Sequence, residues 1–423
     1  AHRNICEIFV TINIVIVESE IRALINLLNK LVNTKIDGVI VQDLGLLYLL
    51  STYFKKLKIH ASTQLTTHNE GQIKFLSELS ATRVNLSREL NLDELKTLTR
   101  VGHENNLLSE VFVHGSNCLS FSGLCYISSV LEGKSANRGR CNQSCREQYV
   151  TTLEGNDFPL NLKDNSAFND LKSLADAGVD SVKIEGRMKK SHYVYTVVNA
   201  WRELLNNFYS DNQTSGDDTA LYQVFNRDFT NAFLMGNLSK DVFIDNPRDN
   251  SARYFHKAKS RSADDDIRLT KTELHGIRTG IITKVKTKIA ALDVGKSPLQ
   301  ISVSGDSGRA LKVSVASADQ SIAPFVILST SCLVPTKDGT EGLDCESLYQ
   351  RLEFNDASKH ALGELECEDL QKGLFLPVKE FNAIKKRMLF VLNGSTEEIE
   401  PIETPRLEEQ VKLKIKPHLS VLI

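Results

Sequence analysis

The sequence predicts an α/β fold: a (β/α) barrel of the TIM type followed by a smaller, mixed β-rich domain. Three observations predict it. Short, continuously apolar runs recur through the first two hundred residues about every 20 to 25 positions. Helical stretches with apolar residues three and four apart separate most of them. Polar residues collect just after the apolar runs, where such a barrel carries its chemistry.

In chain order, a strand is predicted over 8–14. An amphipathic helix over 18–32 follows, with Ile21, Leu24, Ile25, Leu28 and Leu31 on one face. Residues 38–43 read Gly-Val-Ile-Val-Gln-Asp, a short apolar strand ending in polar residues. Further strands are predicted at 58–62, 83–87, 110–114 and 181–185, and helices at 45–54, 69–79, 92–99 and 168–177. Apolar strands alternating with helices suit a parallel sheet buried on both faces. No Gly-x-Gly-x-x-Gly follows any strand, which removes support for a dinucleotide-binding sheet. Six barrel strands are legible where a closed barrel takes eight. The chain opens on Ala1 and closes on Ser420-Val421-Leu422-Ile423, so we expect an N-terminally truncated barrel and an incomplete last domain.

Beyond 190 a long helix is predicted over 193–205, containing Trp201, the sole tryptophan. The polar stretch 206–219 reads as a linker or loop, and 246–266, polar and basic, as a boundary. From 277 the pattern turns to short alternating strands at 280–285, 299–303 and 310–315, with a helix at 378–392. The expected organisation is a barrel over 1–210 with a Cys-rich loop at 115–146, a barrel-associated segment and linker over 211–265, and a β-rich domain over 266–423.

At 423 residues and 47.2 kDa the chain exceeds one ordinary domain. Its 41% hydrophobic and 25% charged residues exclude a disordered chain, and a net charge of −2 excludes a globally basic nucleic-acid coat. No run of 18 apolar residues and no signal peptide are present, so no membrane span is predicted and a cytoplasmic location is expected.

Four of the eight cysteines fall within 28 residues, as Cys118-x6-Cys125-x15-Cys141-x3-Cys145. The chain is too long and too sparse in cysteine elsewhere for a disulfide scaffold. Four thiolates on one loop hold a tetrahedral zinc or an iron–sulfur cluster, and the loose spacing favours the cluster. The alternative is a set of free, buried cysteines in a glycine-rich loop. The same loop carries Lys134, Arg138, Arg140 and Arg146, and Arg187, Lys189 and Lys190 follow the 181–185 strand. Such a basic rim attracts phosphates or RNA; equally, it is a solvated face whose arginines bond loop carbonyls. Phe121, Tyr126 and Tyr149 either stack bases or pack. His60, Gln64 and His114, at strand ends, are the candidates to position substrate, with His60 or His114 moving a proton near neutral pH. The competing role for these three is a hydrogen-bond network that braces the barrel mouth. Glu185 and Arg187 either pair with each other or clamp a carboxylate. Asp43 and Glu89 are candidate ion-pair partners of Arg88.

Several segments resemble one family. Glu110-Val-Phe-Val-His-Gly-Ser-Asn-Cys118, Ser120-Phe-Ser-Gly-Leu-Cys125 and Asn137-Arg-Gly-Arg-Cys141-Asn-Gln-Ser-Cys145-Arg146 resemble the signature of the peptidase U32 (collagenase-like) family. Val41-Gln-Asp-Leu-Gly45, His60-Ala-Ser-Thr-Gln64, Val182-Lys-Ile-Glu-Gly-Arg-Met188 and Val224-Phe-Asn-Arg227 extend the likeness over about residues 1 to 250, and Gly373-Leu-Phe-Leu-Pro-Val378 resembles the extra domain of its long members. The resemblance implies an iron–sulfur protein supporting oxygen-independent hydroxylation of a tRNA or rRNA pyrimidine, or of the ubiquinone ring. For the long form it implies 5-hydroxycytidine in large-subunit rRNA. It further implies a 4Fe-4S cluster on Cys118, Cys125, Cys141 and Cys145, and prephenate as the source of oxygen. It names no electron donor. Three departures stand out: the usual first two βα units with a Leu-Ala-Pro-Ala-Gly strand are missing, Asn165-Ser166 follows Lys163-Asp164 where many members have a cysteine, and Asn231-Ala232 replaces Thr-Gly.

The family name also implies a peptidase. Neither Gly-x-Ser-x-Gly nor His-Glu-x-x-His occurs, and a cluster would consume every thiolate a Cys–His pair needs. A non-catalytic scaffold that binds a cluster and a partner is the third reading.

Overall fold

The structure, a computed structural model, describes residues 2, 5–150, 153, 155–211, 216–245, 249–258, 265–292, 296–317, 323–336, 342–353, 360–392 and 399–405. The first part is the predicted alternation: β1 (Phe9–Ile12), α1 (Ile21–Leu31), β2 (Gly38–Val41), α2 (Leu44–Tyr53), β3 (Lys58–Ala61), α3 (Glu70–Glu78), β4 (Ala81–Asn85), α4 (Leu92–Glu104) and β5 (Leu108–Gly115). Helix starts are set by side-chain caps. Asp43, Asn69 and Asn91 each accept a backbone N–H from the first turn of α2, α3 and α4, satisfying donors that a helix start leaves open. After β5 the chain forms the cysteine loop with its short α5 (Ile127–Glu132). Then come β6 (Asp164–Ser166), α6 (Leu171–Asp176), β7 (Ser181–Ile184), α7 (Ser191–Asp211), α8 (Thr219–Gln223), β8 (Phe229–Thr230) and α9 (Ala232–Met235).

β1 to β5 are parallel neighbours in sequence order. Alternate residues of the strands (Val39, Val41, Ile59, Ala61, Val84, Leu86, Val111 and Val113) bury against Leu24, Leu28, Leu47, Leu50, Ile73, Leu95 and Leu98 of the helices in one core. The TIM-type barrel expected from the sequence, N-terminally truncated, is not closed among the described residues. β5 pairs in parallel with β7 over Glu110–His114, with a register shift between Phe112 and His114, and its last residues His114 and Gly115 also pair antiparallel with Ser166 and Asn165 of β6. The sheet therefore forks at β5 and ends on β8, which pairs β6, while β1 forms the other edge. The fold is mixed α/β with a largely parallel sheet. β6 and β8, three and two residues long, carry no periodicity and escaped the sequence reading.

A second body follows α10 (Asn250–Ala258) and α11 (Asp265–Ala290). It consists of β9 (Ser297–Ser304), β10 (Ala310–Ser317), β11 (Phe325–Cys332), β12 (Val334–Pro335), α12 (Cys345–Leu352), β13 (His360–Glu366), β14 (Leu374–Phe375) and α13 (Val378–Leu392). Its main sheet runs β11-β10-β9-β13, with only β13 parallel to its neighbour. Leu299, Ile301, Val313, Leu348, Phe381 and Met388 fill its separate core. A disulfide joins Cys345 to Cys367.

Three expectations need correction. The strand predicted at 280–285 lies inside α11, whose buried residues Thr270, Leu274 and Val285 follow a helical spacing that short apolar pairs had disguised. Residues 206–211 continue α7, while 212–215 lie outside the described residues. The 246–266 boundary contains α10, with 246–248 and 259–264 outside the described residues. Among the described residues no helix is long and apolar enough to cross a membrane.

One glycine limits how closely the sheet packs. A Cβ on Gly38 would stand 2.2 Å from the Lys58 carbonyl oxygen of β3. Backbone at that distance cannot yield, so Gly38→Ala is expected to destabilise the first body by about 2 kcal/mol or more, read as a lower urea midpoint. An unchanged midpoint would show that β2 and β3 are not in this register.

Candidate functional site

Because one face of the parallel sheet is committed to the helices, the intervening residues look the other way. That face is polar. His60 of β3, Arg83 and Asn85 of β4, Glu110 and Phe112 of β5 and Lys183 of β7 share it, through the register pairs His60–Arg83, Asn85–Glu110 and Phe112–Lys183. Glu110 accepts hydrogen bonds from Asn85 Nδ2 at 2.8 Å and Lys183 Nζ at 2.6 Å. Burial raises its carboxyl pKa, but Lys183, Asn85 and Arg83 outweigh this and leave it below the ordinary carboxylate value. His60 stacks on Phe9, ring centroids 3.9 Å apart. Burial, with Arg83 and Lys183 adding to it, pulls its pKa down to about 4.

The cysteine loop lies over the carboxyl ends of these strands and is pinned at four places. Glu89, after β4, accepts from the Ser122 amide at 2.6 Å and the Ser122 hydroxyl at 2.7 Å, which holds Ser122 at φ 45°. Arg146 donates to Asn161 Oδ1 at 2.6 Å and to the carbonyls of Leu162 and Asn117. Arg138 donates to the Val15 carbonyl and pairs with Glu20. Arg187 packs on Gly139, where a Cβ would come within 3.2 Å of its guanidinium. Cys118, Cys125 and Cys145 are half-buried and Cys141 is exposed; none is in a disulfide. The Cys125 amide donates to Asn137 Oδ1, and the Gln143 amide donates to Cys141 Sγ at 3.3 Å. Burial pushes the Cys145 thiol pKa up against the pull of Arg146, and Cys118, Cys141 and Cys125 add to the rise, so these three lie within electrostatic reach of Cys145. Among the described residues no group of three or more His, Cys, Asp or Glu side chains is close enough to hold a single metal ion.

Beside the loop, β6 and the segment before β8 meet. Asp164, almost wholly buried, accepts from the Arg227 amide at 3.1 Å and from Arg227 Nη1 at 3.2 Å, and Lys163 pairs with Asp228 at 3.0 Å. Lys189 stands 3.8 Å over the Phe225 ring, and burial brings its pKa down to about 8. His114 is buried against Phe229 and Trp201 with Ser166 Oγ 3.3 Å from Nδ1. Burial holds its pKa down at about 3, with Lys189 adding to the shift.

The sequence profile of peptidase family U32 matches residues 1–243, more than half of the chain. The chain belongs to peptidase family U32. Among curated proteins, this U32 chain is 38% identical over 211 residues to the 23S rRNA 5-hydroxycytidine C2501 synthase of Escherichia coli, an alignment covering 48% of this chain and 31% of that protein. It is 30% identical over 248 residues to a collagenase of Porphyromonas gingivalis, covering 54% and 59% of the two chains. With the tRNA hydroxylation protein P1 of Bacillus subtilis it shares 30% over 217 residues, covering 48% and 51%. The chain thus spans between about a third and three-fifths of the length of these relatives.

The U32 signature residues are divided between rim and scaffold. His60 and His114 are buried and neutral at pH 7. Gln64 reaches the loop, its Nε2 3.6 Å from the point a Gly123 Cβ would occupy. Asp43 and Glu89 are not ion-pair partners of Arg88: Asp43 caps α2 and binds the Ile16 amide, and Glu89 holds Ser122. Glu185 accepts from the Arg187 backbone amide at 3.0 Å instead of pairing with its guanidinium. Of the basic residues, Arg138 and Arg146 tie the loop down, Lys134 pairs with Glu132, and Lys189 sits on Phe225. Arg140, Arg187 and Lys190 remain exposed on the rim. Phe121, Tyr126 and Tyr149 are exposed by 47%, 70% and 40%, so none of them is a core residue. Sequence reasoning missed Arg83, Asn85, Glu110 and Lys183. Their signal was present, since a polar residue at every second position of an otherwise apolar strand marks a second, polar face.

Two predictions follow from this geometry. In the unfolded chain His60 and His114 take up protons near pH 6.5, whereas in the fold they do so only near 4 and 3. The unfolded state therefore binds more protons below pH 6.5, and stability falls as pH drops from about 6.5 toward 4. The urea midpoint is expected to decline over that window, and a His60→Asn, His114→Asn variant to decline less; identical slopes would refute the assignment. Glu89→Ala frees Ser122 and is expected to raise the iodoacetamide labelling rate of Cys118 and Cys125 several-fold, with little change in melting temperature. Unchanged labelling would show that Glu89 does not hold the loop.

Proposed function

We propose that this chain is an iron–sulfur RNA-modifying enzyme that supports oxygen-independent hydroxylation of a pyrimidine, forming 5-hydroxycytidine in large-subunit rRNA, with prephenate as the oxygen donor. The observation that carries the reading is the cysteine loop: four free thiols at the carboxyl end of a parallel sheet, in a chain whose relatives bear the names of rRNA and tRNA hydroxylation proteins. Cys118, Cys125, Cys141 and Cys145 would hold a 4Fe-4S cluster. A cluster is wider than a single ion, so its thiolates need not converge on one point, and the N–H···S bond to Cys141 is of the kind that tunes cluster sulfurs. When bound, such a cluster supplies electron transfer.

The chain's own residues orient and exclude. Glu89, Arg138 and Arg146 fix the loop over the sheet. Arg140, Arg187 and Lys190 offer an RNA backbone positive charge, and Phe121 and Tyr126 offer faces for stacking. Buried neutral histidines brace the site and leave proton movement to the rim. The peptidase reading finds less support: among the described residues no hydrogen bond joins any of the four loop cysteines to a histidine, the pairing that Cys–His catalysis requires.

The test is anaerobic purification with ultraviolet–visible spectrum, iron and sulfide content, and mass spectrometry of rRNA from cells lacking and regaining the gene. About four irons per chain, lost in Cys141→Ala, Cys145→Ala, together with restored 5-hydroxycytidine, is the expected result. Zinc, or gelatin cleavage that persists without iron, would overturn the reading.

A further inference from the structure

We propose that the Cys345–Cys367 disulfide of the second body is a thiol-exchange site: cationic and neutral thiols open it in the folded chain, anionic thiols are repelled, and its opening loosens β13 from α12. This site is independent of the function proposed above.

Access distinguishes the bond from a buried crosslink. Cys345 is the first residue of α12 and is exposed, and Cys367, directly after β13, is half-buried. Both border an open groove of about 750 Å³. Exchange requires an incoming thiolate to reach one of the two sulfurs, and the groove provides the approach. The step balances without a further reactant. The thiolate bonds to one cysteine sulfur, the S–S bond breaks, and the other cysteine leaves as a thiolate. A second thiol then resolves the mixed disulfide, so the protein takes up two electrons and two protons and the attacking pair ends as its own disulfide.

The core of the body does not need the bond. Leu348 and Leu352, fully buried, seat α12. Asp344 caps that helix by accepting from the Ser347 amide at 2.8 Å, and β13 pairs with β9 from His360 to Glu366. What the bond adds is a clip on an edge. β13 is the outer strand of its sheet, and its pairing is interrupted between Leu362 and Glu364. Tyr349 Oη donates to the Leu362 carbonyl at 3.5 Å, before that break. Beyond it, the disulfide ties the start of α12 covalently to the end of the strand.

Flanking charge selects the thiol. Each cysteine stands between two carboxylates, as Asp344-Cys345-Glu346 and Glu366-Cys367-Glu368, and all four are exposed. Asp344, Glu366 and Glu368 line the groove, with Lys372 as the cation among its lining residues. The excess negative charge repels an anionic thiolate, and at exposed positions salt screens that repulsion.

Peptide-resolved alkylation and mass spectrometry of the full chain test this, separating the pair from the six free cysteines. Cysteamine, mercaptoethanol and mercaptoethanesulfonate are compared at equal thiolate concentration, without denaturant, each rate taken relative to its rate on an uncharged small disulfide. Cysteamine is expected to open the bond about fivefold or more faster than mercaptoethanesulfonate at low salt, with mercaptoethanol between them, and about 1 M potassium chloride to remove most of the difference. A Glu366→Gln, Glu368→Gln variant is expected to narrow the gap. On opening, hydrogen exchange in β13 and the first turn of α12 is expected to speed several-fold while β10 stays protected, and Cys345→Ser to show the faster exchange without reductant. Should Cys345→Ser fail to fold by circular dichroism, Cys367→Ser carries the same decision. A pair that alkylates as free thiols in the chain isolated in air, opening in urea alone, equal relative rates for the three thiols, or unchanged exchange in β13 would overturn the proposal.

Discussion

The architecture of the site depends on the end of one strand. Gly115 closes β5 at φ 116°, and a Cβ there would lie 2.8 Å from both the Cβ and the carbonyl oxygen of Glu185. Only glycine lets the chain pass so close to the residue after β7. That approach allows β5 to hold β7 along its length and β6 across its tip, and it launches the cysteine loop from the same point. Fork, loop and polar face all inherit their positions from it.

The loop itself shows how a segment with little regular structure is made definite. Its only α-helix is the six-residue α5, which leaves Val130 and Leu131 exposed, as is Tyr126 just before it. Hydrophobic burial therefore contributes little to its shape. Charged hydrogen bonds take over: Arg146 satisfies loop carbonyls from within, Arg138 reaches back to the segment before α1, and Glu89 holds a strained serine. Bonds of this kind are roughly twice as strong as neutral ones, and their geometry is directional. They position sulfur atoms without occupying them, which any role for free thiols requires.

The division of labour among the histidines follows from burial. Both sit where the fold offers them aromatic neighbours and positive charge but no carboxylate partner at hydrogen-bond distance. Each is therefore kept neutral at pH 7. Polar residues at strand ends supply bracing as readily as chemistry. In this chain Asp43 and Glu185 hold backbone amides, Gln64 and Arg88 are half-buried, and Arg187 is exposed on the rim.

Local pattern determined a good deal by itself. The βα alternation, the beginnings of α2, α3 and α4 to within a residue or so, the whole of α13, and the gathering of four cysteines after β5 were legible because each depends on neighbours within a turn or two of chain. Tertiary structure alone decided the rest. Whether the sheet closes depends on which partner β5 accepts at its tip, a competition between segments some 50 to 70 residues away. Whether Arg146 is a rim cation or an internal tether depends on carbonyls brought to it by β6. The polar face needed registers between four strands before its members could be seen together. Spacing along a chain encodes which atoms are available, but their partners are set by long-range packing.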